Sequence, residues 1–172
     1  MYRFLFLLIF PAFAFSQVEF NQLEYRDYDL VYIKNDSVPF TGKCSGICRL
    51  FNDTYKFGRV NYLFRFNYLT ELSVRGKYKN GKAEGKWIYK TIDGEIIAIQ
   101  RFKAGKLNGR IKLYYYLNGK IKSKFKMKMG KLNGMEYVYD KDGKIIYKAK
   151  YRQNELVKEF INLLKYEDIE IN

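Results

Sequence analysis

The sequence predicts an all-β fold: a repeat array of antiparallel hairpins forming one elongated twisted sheet, closed by a short C-terminal capping helix. Three observations carry this expectation. A five-residue phrase recurs as Gly81-Lys82-Ala83-Glu84-Gly85, Gly105-Lys106-Leu107-Asn108-Gly109 and Gly130-Lys131-Leu132-Asn133-Gly134, at intervals of 24 and 25 residues. A second series of turn dipeptides, Asp93-Gly94, Asn118-Gly119 and Asp142-Gly143, falls between the phrases at intervals of 25 and 24. Such dipeptides accept positive φ at both centres of a type I′ turn, so each is expected to close a tight hairpin. The third observation is length: about eight to ten residues lie between successive turn signals, which is room for a strand and little else.

Taken in order, residues 1–16 read as a signal peptide. Met1 to Phe15 is apolar apart from Arg3, Pro11 breaks the run, and Ala14 and Ser16 supply small residues at a cleavage site. The run is shorter than the ~20 apolar residues of a comfortable membrane-spanning helix. The chain is therefore expected to be exported, to the periplasm or beyond, with no transmembrane segment in the mature protein. Residues 17–41 form a lead-in and a first hairpin: Leu30 to Ile33 as a strand, Asn35-Asp36 as its turn, and Val38-Pro39-Phe40 as the return.

Residues 42–156 carry the repeats. Gly42-Lys43-Cys44-Ser45-Gly46 reads as an early copy of the glycine phrase, 39 residues ahead of Gly81. Ile47 to Phe51, Val60 to Phe66 and Leu72 to Tyr78 are the expected strands that follow it. Gly42, Gly46, Gly81, Gly85, Gly105, Gly109, Gly130 and Gly134 are assigned to turns on this reading. Tyr151 to Leu156 repeats the phrase once more, with Asn154 where glycine stood; asparagine is the next-best occupant of a left-handed position. From there residues 157–172 are expected as helix and tail. Leu156, Val157, Phe160, Ile161, Leu163 and Leu164 recur at three- and four-residue spacing, the stripe of a short amphipathic helix that would cap the array.

Gly-Lys-x-x-Gly followed by aromatic strand residues, at this period, resembles the MORN repeat, and most closely the bacterial MORN-variant proteins often labelled antitoxin components. Pro39-Phe40-Thr41-Gly42, the run from Tyr78 through Gly81-Lys82 to Gly85-Lys86-Trp87, and the Asp-Gly or Asn-Gly turn of each unit carry the likeness. It spans roughly residues 30–156. The resemblance implies stacked hairpins, and functions that range over lipid binding, scaffolding and dimerisation.

The 172-residue chain has 32 Lys and Arg against 18 Asp and Glu, a net charge of +14, with 17 Tyr, 14 Phe and no His. Missing histidine removes the commonest general base and the commonest nitrogen ligand for a transition metal. No Gly-x-Ser-x-Gly occurs, and Glu84, Glu95 and Glu136 are scattered without a second acid in fixed relation. A non-catalytic protein without cofactor or bound metal is expected. Cys44 and Cys48 allow two readings, a disulfide permitted by export or two buried free thiols; two thiolates alone are half a zinc site.

The cations are placed unevenly. Lys122, Lys124, Lys126 and Lys128 alternate with Ile121, Ser123, Phe125 and Met127, so lysine falls on one sheet face. The equivalent strands put Arg75, Lys77 and Lys79, then Arg101 and Lys103, then Lys148, Lys150 and Arg152 on that same face. Same-face neighbours lie ~7 Å apart, inside the ~8 Å Debye length at physiological salt, so these charges repel one another. Two readings stand: a solvated outer face, or a platform for an anion. On the second, the partner is an acidic protein, an anionic lipid or an acidic glycan at the envelope. Interleaved tyrosines also suit single-stranded nucleic acid, a poor match to an exported chain. The alternative function is a protein–protein scaffold, antitoxin-like, that uses the apolar tyrosine-rich face.

Overall fold

The computed structural model describes residues 17–26, 30–49, 71–116 and 118–162. The expected leader, the strand expected at Val60 to Phe66 and the tail beyond residue 162 lie outside the described residues. The described chain is all-β apart from one 3-10 turn at Phe20–Gln22. Its strands are β1 Val18–Glu19, β2 Leu23–Arg26, β3 Leu30–Ile33, β4 Gly42–Arg49, β5 Glu71–Lys79, β6 Lys82–Lys90 and β7 Ile96–Lys103. They continue as β8 Lys106–Leu107, β9 Gly109–Tyr114, β10 Ile121–Lys128, β11 Lys131–Leu132, β12 Gly134–Tyr139, β13 Ile145–Arg152 and β14 Glu155–Asn162.

One sheet holds β1-β4-β5-β6-β7-β9-β10-β12-β13-β14 in that order, with β8 on β7 and β11 on β10. From β4 onward the neighbours pair antiparallel, but β1 joins β4 in parallel, so the sheet is mixed. β2 and β3 form a separate antiparallel pair. That pair and the 3-10 turn pack on one face of the large sheet: Leu23, Val31 and Phe40 share a core cluster with Leu72, Val74, Trp87, Ile97, Ile111 and Phe125. Beyond Phe125 the described residue that is fully buried is Ala149.

The tight turns sit elsewhere than expected. Two consecutive positive φ values, the signature of a I′ turn, occur at Asn80-Gly81 (50° and 71°), Ala104-Gly105 (49° and 78°), Met129-Gly130 (49° and 84°) and Gln153-Asn154 (53° and 76°). At Asp93-Gly94 and Asp142-Gly143 only the glycine has positive φ. There the chain makes a longer loop, in which Thr91 N–H donates to the Glu95 carbonyl at 2.9 Å and Asp140 N–H to that of Lys144 at 3.0 Å.

The I′ turns are locked to the hairpin before them. Gly81, Gly105, Gly130 and Asn154 donate their N–H to the carbonyls of Phe40, Ala83, Leu107 and Leu132, at 2.8 to 3.0 Å. The residue ahead of the glycine is held as well: the N–H of Asn80, Ala104 and Met129 donates to the side-chain oxygen of Thr41, Glu84 and Asn108. Phe40-Thr41-Gly42 therefore stands where Leu107-Asn108-Gly109 stands. Gly42 opposes Tyr78 as Gly109 opposes Met127. The alignment of Gly42 with Gly81 is corrected accordingly: Gly42 and Gly46 lie within β4, not in a turn. Gly85 likewise lies within β6, and Gly109 and Gly134 are the first residues of β9 and β12.

That correction removes the case for a disulfide. β4 pairs residue for residue from Gly42↔Tyr78 to Arg49↔Glu71, without a break between the cysteines. Four residues of strand put the two Cα atoms ~13 Å apart, roughly twice disulfide reach. Cys44 and Cys48 are buried thiols that form no disulfide, and burial pushes the Cys44 thiol up to about 12.

The C-terminal helix is also corrected, because Glu155–Asn162 is strand β14 paired with β13. Two features made it look helical. Gln153-Asn154 is the fourth I′ turn, which reverses the chain into another strand. Register shifts then fall between Lys148 and Ala149 and between Lys150 and Tyr151, leaving Val157 and Phe160 as extra residues on β14. Two bulges in a strand imitate three- and four-residue spacing.

Candidate anion-binding face

Antiparallel pairing carries the alternation of each strand into its neighbour, because directly opposed residues share a face. One row crosses most of the sheet on the face away from the core: Ser45, Arg75, Ile88, Ile99, Lys112, Lys124, Tyr137, Lys148 and Ile161, each opposite the next. The other expected cations flank this row on the same face. Lys77, Lys79, Arg101, Lys103, Lys126, Lys128, Lys150 and Arg152 are exposed, while Lys124 and Lys148 are half-buried.

Lys122 departs from the ladder. The β9–β10 register shifts between Ile121 and Ser123, so Lys122 is the extra residue of a bulge. Ile97 is the matching extra residue opposite Tyr89-Lys90, and it is wholly buried in the core. Lys122 lies with its Nζ 5.7 Å from the Tyr115 ring centre, and burial lowers its pKa below the ordinary lysine value. Strict alternation from residue 121 to residue 128 counts every residue as paired, and a bulge breaks that count by one.

Pairing also brings in cations that the alternation of single strands left out. Lys43 opposes Lys77, Lys86 opposes Arg101, Arg110 opposes Lys126, Lys112 opposes Lys124, and Lys158 opposes Lys150. At the I′ turns Lys79 faces Lys82, Lys103 faces Lys106 and Lys128 faces Lys131. Eight times, then, a cation stands directly opposite a cation, a destabilising arrangement in a sheet. Lys86, Arg110 and Lys112 were legible as the alternating partners of Trp87, Ile111 and Leu113 in the first strand of each hairpin; who faces whom was not.

Carboxylates do little to offset this. Glu84 stands opposite Lys77 and Glu155 opposite Arg152, but the Glu84 Oε2 accepts the Ala104 N–H at 2.9 Å instead. Among the described residues none of these sixteen opposed cations is in an ion pair; Arg26–Glu24, at 3.1 Å, lies on β2.

Aromatic rings occupy one end of the face. Tyr137 and Tyr139 on β12 lie with centroids 6.5 Å apart and planes 20° apart. Lys124 Nζ stands 4.6 Å from the Tyr137 centroid and 5.2 Å from that of Tyr139. Lys148 Nζ is 5.9 Å from Tyr137 and 5.3 Å from Phe160, and Lys158 Nζ is 5.0 Å from Phe160. The Tyr115 hydroxyl donates to the Tyr139 carbonyl at 2.6 Å, fixing β12 against the loop between β9 and β10.

The opposite face differs in chemistry. Trp87 and Ile111 are buried there, but Glu136 takes the same position two hairpins on, opposite Ala149. Burial raises the Glu136 pKa, against a hydrogen bond from Tyr151 that lowers it. Tyr147 and Tyr151 hydroxyls lie 2.7 Å apart. A cleft of about 700 Å³ beside the 3-10 turn is lined by Glu19, Glu24 and Glu71 with Lys34, the wrong sign for an anion.

Among the described residues no group of three or more His, Cys, Asp or Glu is placed to hold a metal ion. None of their helices is long and apolar enough to cross a membrane. No family model matches the sequence, and no curated protein matches it either.

Proposed function

We propose that this is an exported, non-catalytic interaction module whose basic sheet face binds an acidic partner or an anionic envelope surface. The carrying observation is the set of eight cation-on-cation pairs, whose members form no ion pair among the described residues. A solvated face needs charge for solubility, but it gains nothing from placing like charges directly opposite. A polyanion laid on the face relieves every such pair at once, and its counterions are released. The interlocked I′ turns at about the repeat period support the MORN-like reading of the array, and with it a binding role.

Retention of the purified protein on heparin and on phosphatidylglycerol vesicles tests this. Replacing Lys124, Lys126, Lys128, Lys148 and Lys150 with glutamine is expected to abolish retention while the circular dichroism stays that of the parent. Unchanged retention with an unchanged spectrum would leave the ladder as solvated surface only.

A second reading, a protein–protein scaffold, is favoured by one observation. Leu156, Val157 and Phe160 on β14 are 53%, 51% and 46% exposed. Salt separates the two, since a charge-driven contact weakens steeply with ionic strength and an apolar contact does not.

A further inference from the structure

We infer that the end of the basic face formed by Lys124, Tyr137, Tyr139 and Lys148 is a specific site for an acidic polysaccharide bearing a carboxylate on alternate sugars. The inference rests on the anion-binding reading of the face and narrows it to one ligand class.

Two features separate this end from the rest of the ladder. The first is order. Elsewhere the exposed lysines point into water, and holding one in place costs rotamer entropy when an anion arrives. Lys124 and Lys148 bracket the Tyr137 ring, with Nζ 4.6 Å and 5.9 Å from its centroid. A cation over a ring face is held there by the ring quadrupole. These two ammonium groups are therefore pre-positioned, and pre-positioning raises affinity by removing an ordering cost.

The second feature is spacing. Lys124, Tyr137 and Lys148 are consecutive members of one cross-strand row. Neighbouring strands lie ~4.8 Å apart, so the two lysines are set ~9.6 Å apart with an aromatic ring between them. The row thus reads charge, flat apolar ring, charge. A chain of alternating acidic and neutral sugars reads carboxylate, ring, carboxylate; with the two ammonium groups over the Tyr137 ring, the neutral sugar would lie across the outer edge of that ring while its acidic neighbours meet the lysines. Tyr139 lies 6.5 Å further along β12 and widens that aromatic edge.

Other anions match less well. Each strand of a DNA duplex carries a charge every ~3.4 Å of helix axis, far denser than this row. A phospholipid surface presents headgroup charges without a sugar-sized ring to lie between them, and would use all the lysines of the face alike.

The test uses the full mature chain and measures binding of hyaluronan, dextran, phosphatidylglycerol vesicles and oligo-dT by titration calorimetry. Hyaluronan is expected to bind and dextran not. Tyr137→Ala is expected to weaken hyaluronan binding by about tenfold and leave vesicle binding within about twofold, whereas Tyr137→Phe keeps both. Lys148→Gln is expected to weaken hyaluronan more than vesicles. Fluorescence of Trp87, buried beneath the other face, reports folding of each variant. If Tyr137→Ala fails to fold, Tyr137→Phe and Lys148→Gln carry the decision.

Equal losses on hyaluronan and vesicles would overturn the inference, as would tighter binding of oligo-dT than of hyaluronan. Vesicle binding with no hyaluronan binding would sink this inference and leave the anion-binding face standing. Failure of every polyanion to bind would remove both.

Discussion

Replacing Gly76 with alanine is expected to destabilise the fold through one clash. Gly76 lies in the middle of β5 and its φ is not positive, so the backbone accepts a Cβ. On conformational grounds alone alanine would stabilise here, by roughly 0.5–1 kcal/mol. The obstacle is Trp87, because a Cβ at Gly76 would lie 2.2 Å from its Cδ2, 2.3 Å from Cε2 and 2.6 Å from Cε3. The ring has little freedom to retreat. It is 1% exposed and packed edge-on against Tyr78, Phe102 and Phe20 at centroid distances of 5.1, 5.8 and 6.3 Å. Overpacking a rigid core costs about 1–3 kcal/mol. Ejecting the ring entirely would forfeit about 4–6 kcal/mol of burial. The expected loss therefore lies at about 2–4 kcal/mol, between partial accommodation and ejection. Urea denaturation followed by circular dichroism measures it, and the intrinsic fluorescence of the single tryptophan reports whether the ring has moved. In a Trp87→Leu background the same substitution should cost less than about 0.5 kcal/mol, because the obstructing ring is gone. A Gly76→Ala protein as stable as the parent, or one equally destabilised in both backgrounds, would refute the argument.

Gly109→Val should destabilise more than Lys112→Val, by at least about 2 kcal/mol: Gly109 has φ of 111° and a Cβ there meets Arg101 Cδ at 3.1 Å, whereas Lys112 is exposed. Equal urea midpoints for the two would remove the reading of Gly109 as a glycine required by its positive φ and its close approach to Arg101. Glu136, its pKa raised above the ordinary 4.5 mainly by burial, binds its proton more tightly folded than unfolded. Stability from that group is full below 4.5 and is lost as pH rises through the folded value. Glu136→Gln should accordingly flatten the fall in urea midpoint over that window and be the more stable variant above it; parallel curves for parent and variant would contradict this. Cys44 and Cys48 should resist iodoacetamide in the native protein, since burial holds the Cys44 thiol near 12. Both should alkylate in denaturant without reductant, and a mass showing neither modified would mean that the chain carries a disulfide after all.

The sequence by itself determined what is local and periodic. Turn dipeptides at 24- and 25-residue intervals leave only strand-length segments between them, so an all-β chain followed from spacing alone. Alternation within β5, β7, β10 and β13 placed eleven of the twelve expected cations on one face, because side chains of a strand must point to opposite sides. Tertiary structure decided whatever depends on a partner strand. A bulge is a mismatch between two strands, so neither the departure of Lys122 from the ladder nor the helix-like spacing of Leu156 to Ile161 can be read from one strand. Register works in the same way. The match of Gly42 to Gly109 and not to Gly105 exists only through Tyr78 and Met127 across the ladder, and it moved Cys44 and Cys48 from a supposed turn onto a straight strand. The left-handed residues Ala104 and Met129 carry no sequence signal at all. They are held by the side chains of Glu84 and Asn108, about twenty residues earlier in the chain. The eight opposed cation pairs belong to the same class, since like charge on two strands becomes a standing repulsion only when hydrogen bonding sets those strands side by side.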